Sequence, residues 1–216
     1  MRIVAISDTH EKHYQLKLPK GDVLVHAGDI TNRGRIEKLA EFASWLNVQD
    51  FKHKIIVCGN HDFCFQDPRH DVAVKLIQEA GGTYLQDYGT TINGVNFWGS
   101  PWQPWFYDWA FNLRRGPDIA AKWSLIPDNT NVLITHGPPK GILDLIANDW
   151  GDANQHEGCQ DLIDRIDKLT ELKAHIFGHF HFQGGNLAEV NGKIFVNAAM
   201  CDDRHRVERQ PVVFDI

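Results

Sequence analysis

Ile3-Val4-Ala5-Ile6-Ser7-Asp8-Thr9-His10 stands near the start of the chain, and its reading decides the fold. Four apolar residues make a short buried strand. The polar residues after them set a carboxylate and an imidazole just past its carboxyl end. The same order returns four times. Val23-Leu24-Val25 precedes Gly28-Asp29, and Ile55-Ile56-Val57 precedes Gly59-Asn60-His61-Asp62. Val132-Leu133-Ile134 runs into Thr135-His136-Gly137, and Ala174-His175-Ile176-Phe177 into Gly178-His179-Phe180-His181. Side chains at the carboxyl ends of several strands converge on one crevice, where open α/β sheets bind their ligands.

Outward from these blocks the pattern alternates. Strands are predicted over 2–7, 22–27, 53–58, 131–135, 174–177 and 212–215, and helices over 35–47, 70–80, 117–124 and 157–169. The first helix carries Ile36, Leu39, Ala40, Ala43 and Leu46 on one face at helical spacing. Gly81-Gly82 stops the second. Short β segments follow near 83–86, 89–93 and 95–99, with Asn93-Gly94 as a hairpin turn, and Asn191-Gly192 joins 186–190 to 193–197. Mixed βαβ units with hairpins predict an α/β fold of two packed sheets covered by helices. No linker-like stretch interrupts 1–216, so one domain is expected.

The 216 residues, 43% hydrophobic and 23% charged, are ordinary for a globular protein with a proper core. No apolar run reaches the length of a membrane span, and Met1-Arg2 leads straight into a strand. Cys58, Cys64, Cys159 and Cys201 form no C-x-x-C pair, which predicts reduced thiols and a soluble, cytoplasmic protein. The formal charge is −6 without a basic stripe, which argues against long nucleic acid as a partner. A small phosphate-containing substrate fits better. No membrane partner is expected, and a homo-oligomer is left open.

Asp8 and His10 stand at i and i+2, as do His179 and His181; on an extended backbone each pair points one way. Gly28 before Asp29 and Gly59 before Asn60 let the backbone turn sharply and approach an ion. Carboxylate, amide oxygen and imidazole together suit manganese, iron, zinc, cobalt or nickel better than calcium or magnesium alone. A single D-x-H or G-D is common in turns and caps. Five such blocks in order, each after a strand, are not explained that way.

The ordered set Asp8-x-His10, Gly28-Asp29, Gly59-Asn60-His61-Asp62, His136 and Gly178-His179-x-His181 resembles the signature of the calcineurin-like metallophosphoesterases. Within them, Leu24-Val25-His26-Ala27-Gly28-Asp29, Gly99-Ser100-Pro101-Trp102-Gln103-Pro104-Trp105-Phe106-Tyr107, Phe111-Asn112-Leu113 and Ile134-Thr135-His136-Gly137-Pro138-Pro139 are similar to the metallophosphoesterase-domain-containing (MPPED-type) branch. The resemblance runs from the first strand to Val196-Asn197-Ala198. Asp62 stands where that branch often has glutamate, and Asp202-Asp203-Arg204-His205-Arg206 has no counterpart there.

The resemblance implies a four-layer α/β/β/α sandwich of two mixed sheets flanked by helices, and two divalent metal ions. Asp8, His10, Asp29 and His181 would hold one ion, and Asp29, Asn60, His136 and His179 the other, with Asp29 bridging. It implies a phosphoesterase hydrolysing small phosphodiesters, of cyclic nucleotide or aryl type, by in-line attack of a metal-bound hydroxide. His61 is not a ligand in this scheme; it faces the departing oxygen and stabilises or protonates it. A phosphomonoesterase would use the same metals. A nuclease lacks its basic stripe here, and a non-catalytic scaffold should lack a ligand or His61.

Around these blocks, Arg33 follows Asp29 closely at the start of a helix and is a candidate for substrate phosphate, since guanidinium matches phosphate geometry. His26 reads as a packed histidine behind the site. His13, His53, His70, His156, His175 and His205 have no ligand-like context. Trp98 to Phe111 holds four of the seven tryptophans. Trp98 and Trp102 read as packing residues, whereas Trp105, Phe106 and Tyr107 are candidate pocket walls able to stack a base or aryl group.

Overall fold

Both faces of β1 (Arg2–Ile6) are buried. Val4 and Ile6 pack on one side, and Ile3 and Ala5 on the other, as side chains alternate along a strand. A strand covered twice belongs to the inner layers of a sandwich, and its neighbours repeat the arrangement. The structure, a computed structural model, describes residues 1–147 and 153–216. In chain order the next elements are β2 (Val23–Ala27), α1 (Ile36–Asn47), β3 (His53–Val57), α2 (His70–Glu79) and β4 (Thr83–Tyr84). Then come β5 (Tyr88–Ile92), β6 (Val95–Ser100), β7 (Gln103–Pro104), β8 (Asn112–Leu113), α3 (Pro117–Trp123) and β9 (Val132–Thr135). The remainder is β10 (Leu145–Ala147), β11 (Ala153–His156), α4 (Gln160–Ile166), β12 (Ala174–Phe177), β13 (Asn186–Val190), β14 (Lys193–Asn197) and β15 (Val212–Asp215).

One sheet has the order β15-β1-β2-β3-β4, parallel except for β15. The other runs β13-β14-β12-β9-β6-β5, with a parallel centre and a hairpin strand at each edge. Ile3, Val25 and Ile55 of the first sheet meet Phe97, Val132, Ile134 and Ile176 of the second in the central core. Leu39, Phe42 and Leu46 of α1 and Ile77 of α2 cover the outer face of the first sheet. Ile119 and Trp123 of α3 and Leu162 and Ile166 of α4 cover that of the second, over Leu133, Phe177 and Phe195. The expected four layers are present. No helix among the described residues is long and apolar enough to cross a membrane. All four cysteines are buried and unpaired.

Three details differ from the sequence reading. The fourth helix starts at Gln160 rather than 157, because the Gly158 N–H is taken by Asp144 Oδ2 at 2.9 Å and the Cys159 N–H by the Pro138 carbonyl at 3.0 Å. Asn32 and Arg33 lie in the loop before α1, not in its first turn. The short ribbons β7–β8 and β10–β11 were not anticipated. Each has only two to four residues per strand, too few for a legible period.

Candidate metal centre

The blocks after β1, β2, β3, β9 and β12 meet at one end of the sandwich. They do not meet through extended backbone. Asp8, His10, Asp29 and His179 have φ of 51°, 42°, 56° and 67°, so the i, i+2 argument yields to left-handed turns that swing each ligand inward. Such conformations are unusual away from glycine, and the loops around them are cross-tied. The Asp8 N–H donates to the Gly28 carbonyl at 2.8 Å, His10 N–H to Asp29 at 3.1 Å and Glu11 N–H to Ile30 at 2.9 Å. Asp62 fastens two loops by accepting N–H bonds from Gly59 at 3.0 Å, Ile30 at 3.2 Å and Thr31 at 2.9 Å. Gly59 permits a close approach, since a Cβ there would lie 2.2 Å from Asp29 Oδ1.

Three groups of donor atoms each lie within 4.8 Å of one another: Asp8, His10 and His181; His10, Asp29 and His61; and Asp29, His136 and His179. Asp29 Oδ1 accepts the His61 N–H at 2.9 Å. Its Oδ2 faces His136 Nε2 at 3.4 Å, His10 Nε2 at 3.8 Å and His61 Nε2 at 3.9 Å. Asn60 Oδ1 lies 2.9 Å from His136 Nε2, and His181 Nε2 lies 3.2 Å from Asp8 Oδ1 and 3.3 Å from His10 Nε2. The His136 ring sits 4.9 Å from that of His179. All seven residues expected to hold metal are therefore brought together.

The donor chemistry fits cations. His181 Nδ1 donates to the Asp202 carbonyl at 3.0 Å, which turns Nε2 toward the Asp8 carboxylate and His10 Nε2; burial disfavours the His181 cation, but the Asp8 hydrogen bond raises its pKa. The Asp8 carboxylate thus favours positive charge at this point, which a proton or a metal can supply, and backing of the outer ring nitrogen by a carbonyl is the usual way a metal-binding histidine is oriented. His136 Nδ1 is backed in the same manner by the Ala27 carbonyl at 2.9 Å. Electrostatics agree. Burial opposes ionisation of Asp29, but the adjoining His136, with His61 and His10, holds it well below the usual carboxylate range. Asp8 is likewise lowered, against its burial, chiefly by the His181 hydrogen bond. Burial pushes His10 and His179 down to about 3, so both keep a free lone pair at neutral pH. His136 goes the other way. Burial disfavours its cation, yet Asp29, then Asp8, lift it to about 9. A proton here takes the place that a metal would claim, and loading must displace it.

Around this centre, His61 Nδ1 donates to the Asn32 carbonyl at 2.7 Å, leaving Nε2 directed at the crevice. His26 accepts the Gly28 N–H at Nδ1, 3.3 Å, and donates from Nε2 to Thr9 Oγ1 at 3.0 Å, supporting the site from behind. Trp98 and Trp102 pack on the core, Trp102 donating to Asp87 Oδ2 at 2.8 Å. Trp105, Phe106 and Tyr107 are 59%, 50% and 74% exposed. Trp105 and Phe106 line a groove of about 440 Å³ that begins at His179 and His181 and continues past Pro138, Ile146, Phe180 and Phe182. Tyr107 lies in a neighbouring hollow with Arg33, Asp108 and Trp109.

Two residues at the site escaped the sequence reading. Trp109 lies 4.1 Å from the His61 ring, with the Arg33 guanidinium 4.9 Å over its own. Its position within the aromatic stretch marked it no more than its neighbours. His205 stacks on His10 at 3.8 Å with 4° between the planes, and nothing local in Arg204-His205-Arg206 signals this.

Comparison with known proteins agrees with the geometry. Residues 1–183 match the family model of the calcineurin-like phosphoesterases. Metallophosphoesterase domain-containing protein 1 of Homo sapiens is 35% identical over an alignment that takes in the whole chain and 71% of that protein. A UPF0046 protein of Caenorhabditis elegans is 40% identical, over the whole chain and 75% of its own length. Among solved structures, the phosphopantetheinyl hydrolase of Mycobacterium tuberculosis superimposes with a TM-score of 0.61 at 19% identity, over 94% of this chain and 90% of that one. The TT1561 protein of Thermus thermophilus gives 0.58 at 14%, over 91% and 88%. These two likenesses concern the fold alone. The chain belongs to the calcineurin-like metallophosphoesterases, a family of metal-dependent phosphoric ester hydrolases with a dinuclear divalent metal centre.

Proposed function

We propose that this protein hydrolyses small phosphodiesters carrying an aromatic or nucleobase group. The observation that carries the choice of diester is the groove leaving the metal centre at His179 and His181. Its walls are mainly apolar and aromatic, Trp105, Phe106, Phe180 and Phe182 among them. A diester has a second organic group to place there and a single negative charge. A monoester dianion would call for more cations. Arg33 brings a single guanidinium to the rim, over Trp109, and Arg115, in the groove wall, donates to the Gly158 and Glu157 carbonyls at 2.8 and 2.7 Å.

In this reading Asp8, His10, Asp29 and His181 hold one ion, and Asp29, Asn60, His136 and His179 the other, both drawn from manganese, iron, zinc, cobalt or nickel. When bound, the ions supply Lewis acidity toward the phosphoryl oxygens and lower the pKa of water toward neutrality. Asp29 would serve both ions, and its Oδ1 is fixed by the His61 N–H. The same contact sets His61 beside the centre, and the Asn32 carbonyl keeps the proton on Nδ1, so Nε2 is free to hold a proton for the leaving oxygen. Arg33 lies at the rim for a phosphoryl oxygen or the second ester group.

The test is kcat/KM for a bis-aryl against a mono-aryl phosphate at matched manganese, with Trp105→Ala and Phe106→Ala alongside. Stacking on one aromatic contributes ~1–3 kcal/mol, so each variant should lose roughly 5-fold or more on an aryl or nucleotide diester. A monoester preference, or variants that lose nothing on nucleotide diesters, would return the loop to packing and favour the phosphomonoesterase.

A further inference from the structure

Most imidazoles of the centre are steered by a backbone carbonyl behind Nδ1: Asn32 for His61, Ala27 for His136 and Asp202 for His181. His10 is not. Its Nδ1 is buried without a hydrogen-bond partner among the described residues, and its backbone has the uncommon φ of 42°. A metal-binding histidine without a second hydrogen bond has a ring free to rotate about its χ2, at a cost in affinity. What His10 has instead is a ring lying flat on it. His205 stacks at 3.8 Å and 4°, with His61 and His181 edge-on to His205 at 5.9 Å each.

The segment that delivers this ring is built for rigidity. Asp202 accepts the N–H groups of Arg204 at 3.0 Å and Arg206 at 2.8 Å, and pairs with Arg206 Nε at 2.8 Å. The Asp202 N–H donates to the Arg206 carbonyl at 2.9 Å, and the His205 N–H to the Asp202 carbonyl at 2.9 Å. A bridge between Cys201 and Val207 closes the base. His205, at φ 54°, is left at the tip. The same Asp202 carbonyl receives His181 Nδ1–H. One short loop thus touches two imidazoles of one proposed ion site, His181 through its backbone and His10 through a stacked ring.

We propose that the Asp202–Arg206 loop is a clamp for the ion site formed by Asp8, His10 and His181, and that His205 is a positioning residue whose stacking replaces the missing hydrogen bond of His10. This rests on the metal-site reading above. Loss of an orienting partner of this kind weakens a metal by about 10–100-fold, and only one of the two ions should feel it.

The experiment is cobalt titration of chelator-stripped protein, followed by absorption and calorimetry, for wild type, His205→Ala, His205→Phe, His181→Ala and His205→Ala/His181→Ala. We expect His205→Ala to weaken one ion 10–100-fold and leave the other at its wild-type affinity. His205→Phe, which keeps a flat ring but no nitrogen, should restore the first to within a few-fold. The double variant should lose little beyond His181→Ala, because both act on one ion. Thermal midpoints of the metal-free single variants at His205 should agree, separating positioning from general packing. Unchanged affinity for both ions in His205→Ala overturns the clamp, as does a phenylalanine variant as weak as the alanine one. Failure of wild type to bind two ions would instead overturn the metal-site reading.

Discussion

Gly178→Ala adds one carbon atom where the two sheets converge on the metal centre. The backbone of Gly178 is one that alanine also adopts, so the consequence is purely one of space. The new Cβ would stand 2.0 Å from Asp8 Oδ2 and 2.2 Å from Ser7 Oγ. Ordinary contact begins near 3.4 Å, so the Asp8 carboxylate must retreat by about 1.4 Å or β12 must lift from its neighbours. Asp8 is fully buried and accepts the His179 N–H at 3.0 and 3.1 Å, which leaves it little slack. Overpacking of this kind costs ~1–3 kcal/mol, equivalent to roughly 2–12 °C in Tm for a chain of this size. A ligand displaced by about 1 Å costs on the order of 10²-fold in rate. The variant should therefore fold, melt a few degrees early, bind the ion at Asp8 poorly and lose most turnover. Gly137→Ala is the control. It follows His136 directly, but its nearest neighbour would be 3.8 Å away, so it should retain both ions. Melting, metal stoichiometry after dialysis and kcat on an aryl diester measure the three quantities. A Gly178→Ala protein with two tightly held ions and near-normal kcat would refute the placement of Asp8.

Further outcomes are expected at neighbouring positions. Asp29→Ala should carry neither ion, because one carboxylate faces both, whereas His181→Ala should lose mainly one; metal analysis showing two ions per chain in the Asp29 variant would contradict the bridging role. His61→Ala should keep both ions yet lose roughly 10²–10⁴-fold on esters with poor leaving groups. Nitrophenyl esters should lose less, and an equal loss on both would assign His61 to charge or orientation rather than proton donation. His175 is buried, and that burial holds its pKa down to about 3 in the folded chain. The folded state therefore binds fewer protons than the unfolded, so the stabilisation is complete above pH 6.5 and is lost as pH falls toward 3. Between pH 7 and pH 5 His175 alone should account for ~2 kcal/mol of lost stability, and urea titration of metal-free His175→Phe should show a correspondingly flatter dependence.

The layers and the five strand-end blocks that carry the donors are legible because each depends on short-range pattern, whereas the choice of seven donors within them follows from the family resemblance. An apolar run of four or five residues buried on both faces is a central strand wherever it occurs, and a polar residue after it sits at the sheet's carboxyl edge. The pairing of Asp8 with His10 has a different cause from the one their spacing suggests. Extended spacing does not align them; two left-handed residues do, held by N–H bonds to the loop after β2, and that partner lies about twenty positions away. Trp109 and His205 were missed for the same kind of cause. Trp109 acts on His61 across 48 positions and His205 on His10 across 195. Neither has a local pattern to betray it, because a stacked ring can be delivered by almost any loop.

Four strained backbones at one site make sense only with what surrounds them. Asp8, His10, Asp29 and His179 each occupy the left-handed region, at a cost of order 1–3 kcal/mol per residue. Glycine would remove that strain but also the ligand. Positive φ at the end of a parallel strand turns the chain back at once, so that the donor points across the sheet edge rather than along the strand. It also lets the loops after β1 and β2 run side by side, with Asp8 N–H bonded to Gly28 and His10 N–H to Asp29. The parallel bridge between Ser7 and Ala199 then joins this edge to the end of β14, drawing the loop that carries His205 over His10. The strain in the ligands and the closeness of that clamp are thus two results of the same sharp turns. Relaxing the turns would cost the centre its donors and its lid together.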